Sequence, residues 1–439
     1  MKSDQTTAQL SYLISQYPKV SHTFILREVR HLRNRGFRID VASVNSPDRP
    51  RENLTTEEQE EADSTFFVKQ GAVGKALRAG ISTLIRNPIG FLSGLVYAVR
   101  LGSTDFKKIL YGVFYFAEAL IVGTWMRKNG STHIHVHFAT PASTVGMIAA
   151  KVFGYDFSMT VHGPDEFYDA PGYHLEEKVR RARFVCCIGT YSRSQLMKLT
   201  DHTEWDKFEV SPLGVDLSVF SPREFRPSPA PFQALCVGRL VSAKGQHILV
   251  HTMERLRDAG RNVQLRFVGD GPDRESLEQL SRDLNLSDCI RFEGSVNQDR
   301  IREFYSEADA FCLPSFAEGI PVVLMEAMSM EIPCITTHIT GHHELIRNGE
   351  DGLLVSPSDH IEMASAIERL IDDEEFRRSL GEQGRRRVQS KYELTRNTDR
   401  LGDVFRNRLV DRNTKPLPLP ELNQAQEPTP VQESEPVPA

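Results

Sequence analysis

The sequence predicts an α/β chain of two doubly wound domains, each a largely parallel sheet flanked by helices. Three observations carry this. Both halves open on an apolar strand, a turn and an amphipathic helix: QLSYLI (9–14) precedes HTFILREVRHLRNR (22–35), and ALCVGRL (234–240) precedes the helix after VSAKGQH (241–247). A strand that returns through a helix must pair in parallel, because only a long crossover reverses its direction twice. Between the halves, SPREFRPSPAPF (221–232) is Pro-rich and aperiodic, the composition of a linker. At 439 residues the chain is long enough for two cores.

Composition narrows the partners. A net charge of −6 gives no reason to expect nucleic acid. The six cysteines (Cys186, Cys187, Cys236, Cys289, Cys312, Cys334) have neither disulfide-scaffold nor zinc-ligand spacing, and several lie in apolar runs. They read as buried thiols in a reducing compartment. The N-terminal MKSDQTTAQLSYLISQYP lacks the apolar core and small-residue cleavage site of a signal peptide. The two domains are therefore expected in the cytoplasm.

In order, Gly36 ends the first helix and FRIDVASV (37–44) supplies the second strand. The loop SQYPKVSHTF (15–24) lies beyond a strand's carboxyl end, where doubly wound sheets bind ligands. Residues 46–62 are polar and acidic and read as a solvated loop and helix start. Residues 66–128 form a long helical region rich in large apolar residues, inserted into the first domain. Its charges are mostly basic: Lys69, Lys75, Arg78, Arg86, Arg100, Lys107, Lys108, Arg127 and Lys128 against Asp105 and Glu118. The run ILYGVFYFAEALIVGTW (109–125) falls short of the ~20 apolar residues of a membrane span. Glu118 in its middle would cost at least ~2.5 kcal/mol in lipid. The expectation is helices packed on the sheet, with a basic, partly apolar face toward an anionic membrane surface; internal packing alone is the alternative.

Strands follow at THIHVHF (132–138), FSMTVHG (157–163), FVCCIGT (184–190) and KFEVSPLGVD (207–216), with ASTVGMIAAKVFG (142–154) as a helix. His133, His135 and His137 alternate onto one face, but no carboxylate or cysteine accompanies them at ligand spacing, so no metal is expected. In the second half QLRFVGDGPDRESLEQL (264–280) reads as strand, glycine turn and helix, with Pro272 and Asp273 opening the helix. EFYSEADAFCLPS (303–315) leads into CLPSFAEGIPVVLMEAMSMEIPCITTHITGHHE (312–344), which holds Glu318 in a turn and Glu326 eight residues on, in an apolar run of helical spacing. A helix starting near Pro321 places Glu318 just outside its N-terminus and Glu326 inside. That N-terminus, with unpaired N–H groups and partial positive charge, suits an anion.

The pattern EGIPVVLMEAM, then CITT, then TGHHELIRNGEDGLLV, resembles the Glu-x7-Glu signature of the retaining nucleotide-sugar glycosyltransferases of family 4, which have the GT-B fold. The resemblance covers most of residues 8–400 and is strongest over 212–355. It implies two Rossmann-like domains facing a cleft: 1–220 binding the acceptor, with the insertion at about 66–128; 221–390 binding the donor; a crossover helix at 391–412 returning to the first domain; and a tail, 413–439, whose composition predicts disorder. PLGVDLSVFSP (212–222) is similar to the family's inter-domain connector.

The resemblance also implies roles. GRLVSAKG matches GRLxxxKG, placing Gly238, Arg239 and Lys244 at the donor diphosphate. Two fixed cations there would neutralise the charge that builds on the leaving nucleotide, the first as a planar fork and the second as a point charge. A divalent metal, or any other cofactor, is then not expected. Glu326 is similar to the residue that grips the ribose, and Glu318 to the one beside the sugar, with the backbone of Gly319 and Ile320. TVHGPDEF aligns His162 with a histidine that faces the donor sugar. YPKVSHTF, with Glu28 following, is similar to a subgroup that builds bacterial exopolysaccharides of the colanic-acid type, and assigns Ser21, His22 and His137 to the acceptor side.

Three departures stand out. Glu331 replaces a glycine that ends the helix, His342 and His343 replace an apolar–proline pair, and the usual N-terminal glycine pair is missing. The function implied is transfer of a sugar, with retention, from a nucleotide-diphosphate sugar to a glycan or lipid-linked oligosaccharide, by a peripheral enzyme on the inner face of the cell membrane. A nucleotide-sugar epimerase or hydrolase on the same fold, or a non-catalytic sugar-nucleotide-binding protein, are the alternatives.

Overall fold

The computed structural model describes residues 9–410 and 414–420. They form two parallel sheets. The first has seven strands: β1 (Gln9–Gln16), β2 (Arg38–Asn45), β3 (Phe66–Phe67), β4 (His133–His137), β5 (Asp156–Val161), β6 (Phe184–Cys187) and β7 (Phe208–Val210), in the order β3-β2-β1-β4-β5-β6-β7. The second has six: β8 (Phe232–Val237), β9 (Val263–Val268), β10 (Ile290–Gly294), β11 (Ala310–Leu313), β12 (Cys334–Thr337) and β13 (Leu353–Val355), in the order β10-β9-β8-β11-β12-β13. Strand order reverses between β1 and β4, and again between β8 and β11. A crevice opens beyond the strand ends at such a reversal, because successive crossovers leave in opposite directions.

Helices cover both faces, so the strands read as continuous apolar runs; every residue of β4 and β11 is buried. The last helix, Leu394–Val410, returns to the first domain, where Leu401, Val404 and Phe405 pack against Leu10, Tyr12 and Phe184. Its entry crosses the connector: Val215 N–H donates to the Tyr392 carbonyl and Leu394 N–H to the Val215 carbonyl.

Three expectations change. Residues 46–62 are not wholly solvated: helix Thr56–Ser64, closed by a Thr55–Glu58 capping box, buries Glu58 and Glu61 because Arg49, Arg33 and the Tyr17 hydroxyl bind their carboxylates. The tail's expected disorder does not extend to 414–420. This stretch has no helix or strand but is held by backbone bonds: Leu417 N–H to Glu209 Oε2 (3.0 Å), and Arg400 to the Pro418 carbonyl (2.6 Å). Residues 421–439 lie outside the described residues. The 312–344 helix begins at Val322, with Pro321 extended as its N-cap.

The insertion folds as three helices, Ala72–Arg86, Pro88–Leu101 and Phe106–Asn129. Among the described residues only the third is long and apolar enough to cross a membrane. Its second half is instead core: Phe116, Ala119–Gly123 and Met126 are buried against helix Pro141–Phe153 and the sheet. Crossing a bilayer would dismantle that core.

Candidate active site

The second sheet's reversal point gathers the donor-side residues. β8 ends at Val237, and Gly238–Lys244 turns over its carboxyl end; β11 ends at Leu313 and runs into the Glu318 turn. Their adjacency brings the Lys244 ammonium onto Glu318 Oε1, which also accepts from the Ser315 hydroxyl (3.0 Å). Gly238 has φ +158 and packs beside the Lys244 stem. Arg239 is exposed on the same turn. Lys19, on the first domain's β1 loop, has its ammonium pushed down, first by burial and then by the Arg239 charge. Helix Val322–Ser329 starts with no side-chain cap, leaving its first N–H groups free beside this turn.

Glu326 stands apart from Glu318. It is buried, accepts from the Tyr305 hydroxyl (3.0 Å), and lies 3.9 Å from Arg27 of the first domain. Burial raises its pKa, against the pull of Arg27 and Tyr305. The structure thus joins Lys244 to Glu318 directly, with Arg239 on the same turn, and pairs Glu326 with groups of its own. Ile320 is buried in the core with Ile188, so it offers its backbone alone.

On the first domain, the β1 and β5 loops meet at the other reversal point. His162 lies against Phe138 (ring centroids 4.2 Å apart) and Phe24 (5.2 Å), and Phe138 in turn against His22 (4.9 Å). Ser21 is exposed beside them. Burial, then the Lys19 charge, pushes His22 down to about 4, and burial keeps His162 neutral. His137 corrects an expectation: it is fully buried behind His162, so it cannot touch an acceptor. Its ring lies between Glu28 and His162. His137 Nε2 lies 3.1 Å from Glu28 Oε1, and His137 Nδ1 lies 3.1 Å from His162 Nε2. His133 and His135 bind the Ser158 and Thr160 hydroxyls, and among the described residues no cluster is arranged to hold a metal ion.

The two lobes touch where three glycines meet. A side chain on Gly319 would overlap the His162 carbonyl, and one on Gly341 would overlap the Gly319 carbonyl; Gly163 packs on the Gly319 backbone. Only glycine permits this approach.

Three side chains that position the site carried no recognised signal. Glu166 is buried and accepts from the N–H groups of His162, Gly163 (2.8 Å) and Ala139, fixing the histidine turn; burial raises it to about 7. Glu344 accepts from Thr190 N–H (2.8 Å) and Tyr191 N–H (2.7 Å), binding the second domain to a helix N-terminus of the first. Arg27 reaches Glu326 across the cleft. Glu166 follows His162 by four residues and Glu344 ends GHHE, but neither spacing reveals a partner contributed by backbone elsewhere.

Two parallel doubly wound sheets facing a cleft, joined by a connector and a returning helix, define a GT-B glycosyltransferase. The family model "Glycosyl transferases group 1" matches residues 221–387, and "Glycosyltransferase Family 4" matches residues 21–219. The chain belongs to this glycosyltransferase family. It is 25% identical over 393 residues to WcaL of Escherichia coli K12, named for colanic acid biosynthesis, covering 83% of this chain and 92% of that one. AmsK of Erwinia amylovora, an amylovoran biosynthesis glycosyltransferase, is 25% identical over 386 residues, covering 83% and 91%. Among solved structures, HepE of Anabaena in complex with UDP superposes with a TM-score of 0.67 at 16% identity, covering 91% of this chain and 99% of that one. Sucrose-phosphate synthase of Thermosynechococcus elongatus gives 0.70 at 20%, covering 91% and 98%. At these identities the likeness to the solved structures is one of fold.

Proposed function

We propose that the chain transfers a sugar from a nucleotide-diphosphate sugar, with retention at the anomeric carbon, to a glycan or lipid-linked oligosaccharide during assembly of an exopolysaccharide-type polymer. The observation that carries this reading is the Lys244–Glu318 pair at the second sheet's reversal point, opposite His162. Arg239 and Lys244 neutralise the departing diphosphate, so turnover needs no divalent metal. Gly238 lets the turn approach the phosphates, and Glu326 exchanges Tyr305 for the ribose hydroxyls. Glu318 and the backbone of Gly319 and Ile320 line the sugar. His162 Nδ1 is buried and has no hydrogen-bond partner, so it is a free acceptor for a sugar hydroxyl. Ser21 and His22 receive the acceptor. HepE, solved with UDP and with UDP-glucose, supports a uridine nucleotide sugar; WcaL and AmsK support the pathway class. The reaction belongs on the cytoplasmic side of the membrane.

A thermal-shift screen across nucleotides and nucleotide sugars identifies the donor, since a ligand held by the native state raises the melting temperature. Incubation of that donor with and without acceptor, in the presence of a chelator, then tests transfer. Fast acceptor-free isomerisation or hydrolysis overturns the reading, and loss of transfer on chelation overturns the metal-independent mechanism.

A further inference from the structure

The insertion is built the wrong way round for a helix layer in water. Over residues 72–114 the buried helical positions are small residues, Ala79 and Thr83, Gly94 and Ala98, and Gly112, while the large buried side chains of the third helix come after Phe114. A side chain on Gly112 would overlap the Ala98 carbonyl and one on Gly90 would overlap the Val152 carbonyl, so backbones approach closely there, and Gly94 makes room for the Val152 side chain. The large apolar residues point outward instead. Thirteen of the twenty-one exposed large apolar side chains among the described residues fall between Val73 and Phe114. Val73, Leu77, Ile81 and Ile85 recur every four residues, one outer stripe of the first helix; Ile89, at the start of the second, is 81% exposed and Phe106, at the start of the third, 79%. Large contiguous apolar patches of this kind mark interaction surfaces.

Charge selects the partner. Residues 69–108 carry seven cations (Lys69, Lys75, Arg78, Arg86, Arg100, Lys107, Lys108) and one carboxylate, in a chain of net charge −6. That carboxylate, Asp105, is occupied capping the third helix. We infer that the outer face of residues 72–114 docks on an anionic lipid bilayer, its apolar stripes entering the headgroup boundary and its cations meeting acidic lipid. A second copy docked through the same face would set the six cations of residues 72–114 against six like charges. The second insertion helix is tied to the first domain's main body: the Tyr97 hydroxyl donates to Glu177 Oε1 (2.8 Å) on helix Leu175–Arg181. Docking itself does not rest on the transferase reading, because it is measured without turnover.

The purified full chain is sedimented with vesicles of phosphatidylcholine alone and of phosphatidylcholine with phosphatidylglycerol, at low and high salt. The expected result is partition onto the anionic vesicles at least ~10-fold above the neutral ones, falling as salt rises. Ile85→Glu with Ile89→Glu and Phe106→Glu abolishes it while the melting temperature stays unchanged, since all three side chains face solvent. Lys107→Ala with Lys108→Ala weakens binding ~10-fold and flattens the salt dependence. Equal binding to both vesicle types, no binding, or triple-variant binding at the original level overturns the proposal. So does sedimentation equilibrium showing a dimer that the triple variant dissolves, which would assign the face to a second copy.

Discussion

His137 Nδ1 lies 3.1 Å from His162 Nε2, so two buried imidazoles share a single proton between them. Glu28, which also accepts from the Tyr12 hydroxyl (2.7 Å), can only accept from His137 Nε2. In the tautomer where His137 donates only to Glu28, its Nδ1 is a bare lone pair and the shared proton sits on His162 Nε2. His162 consequently presents its other nitrogen unprotonated. His137→Leu comes close to the volume and removes this constraint. Steady-state transfer should fall on the order of tenfold or more with the fold intact by circular dichroism; an unchanged rate would reduce the chain of contacts to packing.

Buried neutral histidines make stability depend on pH. Burial lowers His133 to about 3 and His342 to about 4, and holds His135 and His162 well below their ordinary 6.5. Below 6.5 the unfolded chain takes up protons that the fold refuses. Stability is therefore full above 6.5 and is lost as the pH falls toward 4, by up to ~1.4 kcal/mol per pH unit for each histidine. Glu166, raised to about 7, and Lys178, lowered by burial to about 7, each oppose this with one proton. Urea denaturation at pH 7.5 and 5.5 should give a clearly lower midpoint at the acidic pH, with an unchanged slope.

Lys244→Ala and Glu318→Gln each remove one partner of the pair that joins the β8 and β11 turns. Each should lower transfer ~10²–10³-fold, the usual loss for one preorganised electrostatic contact, with melting temperatures close to the parent. Retention of full activity by both variants would mark the chain as a sugar-nucleotide binder whose chemistry lies elsewhere.

Glu344 binds the lobes through two N–H groups at the start of helix Thr190–Leu199. Glu344→Ala leaves those donors unpaired and removes a negative charge from a helix N-terminus. We expect a loss of ~2 kcal/mol in urea unfolding, and small-angle scattering broader than that of the parent. Gly319→Ala should act at the same junction, because the new methyl group must push the His162 turn away.

Glu331 has φ 59, in the left-handed region, where the family pattern has glycine. Its side chain recovers only a 3.9 Å approach to Arg385. Glu331→Gly should raise stability by ~1 kcal/mol, read as a higher denaturation midpoint without change in activity. The sequence marked Glu331 only as a departure from a helix-ending glycine, and the structure places it in the left-handed region that such positions commonly take.

Alternating strand and helix periods fixed the two parallel sheets, because a crossover helix leaves a strand no other pairing, and the Pro-rich stretch marked their junction. Gly238, Lys244, Glu318 and His162 were singled out by the resemblance to the family's motifs, and their place beyond strand ends followed from the alternation: in a doubly wound sheet, chain position dictates edge position. Only the folded chain decided which of those edges meet. It set Lys244 on Glu318, withdrew His137 behind His162, and gave Glu166 and Glu344 their backbone partners. It also turned the insertion's large apolar residues outward. Contacts between residues far apart in sequence, and the choice of which helix face is covered, depend on packing that no local pattern encodes.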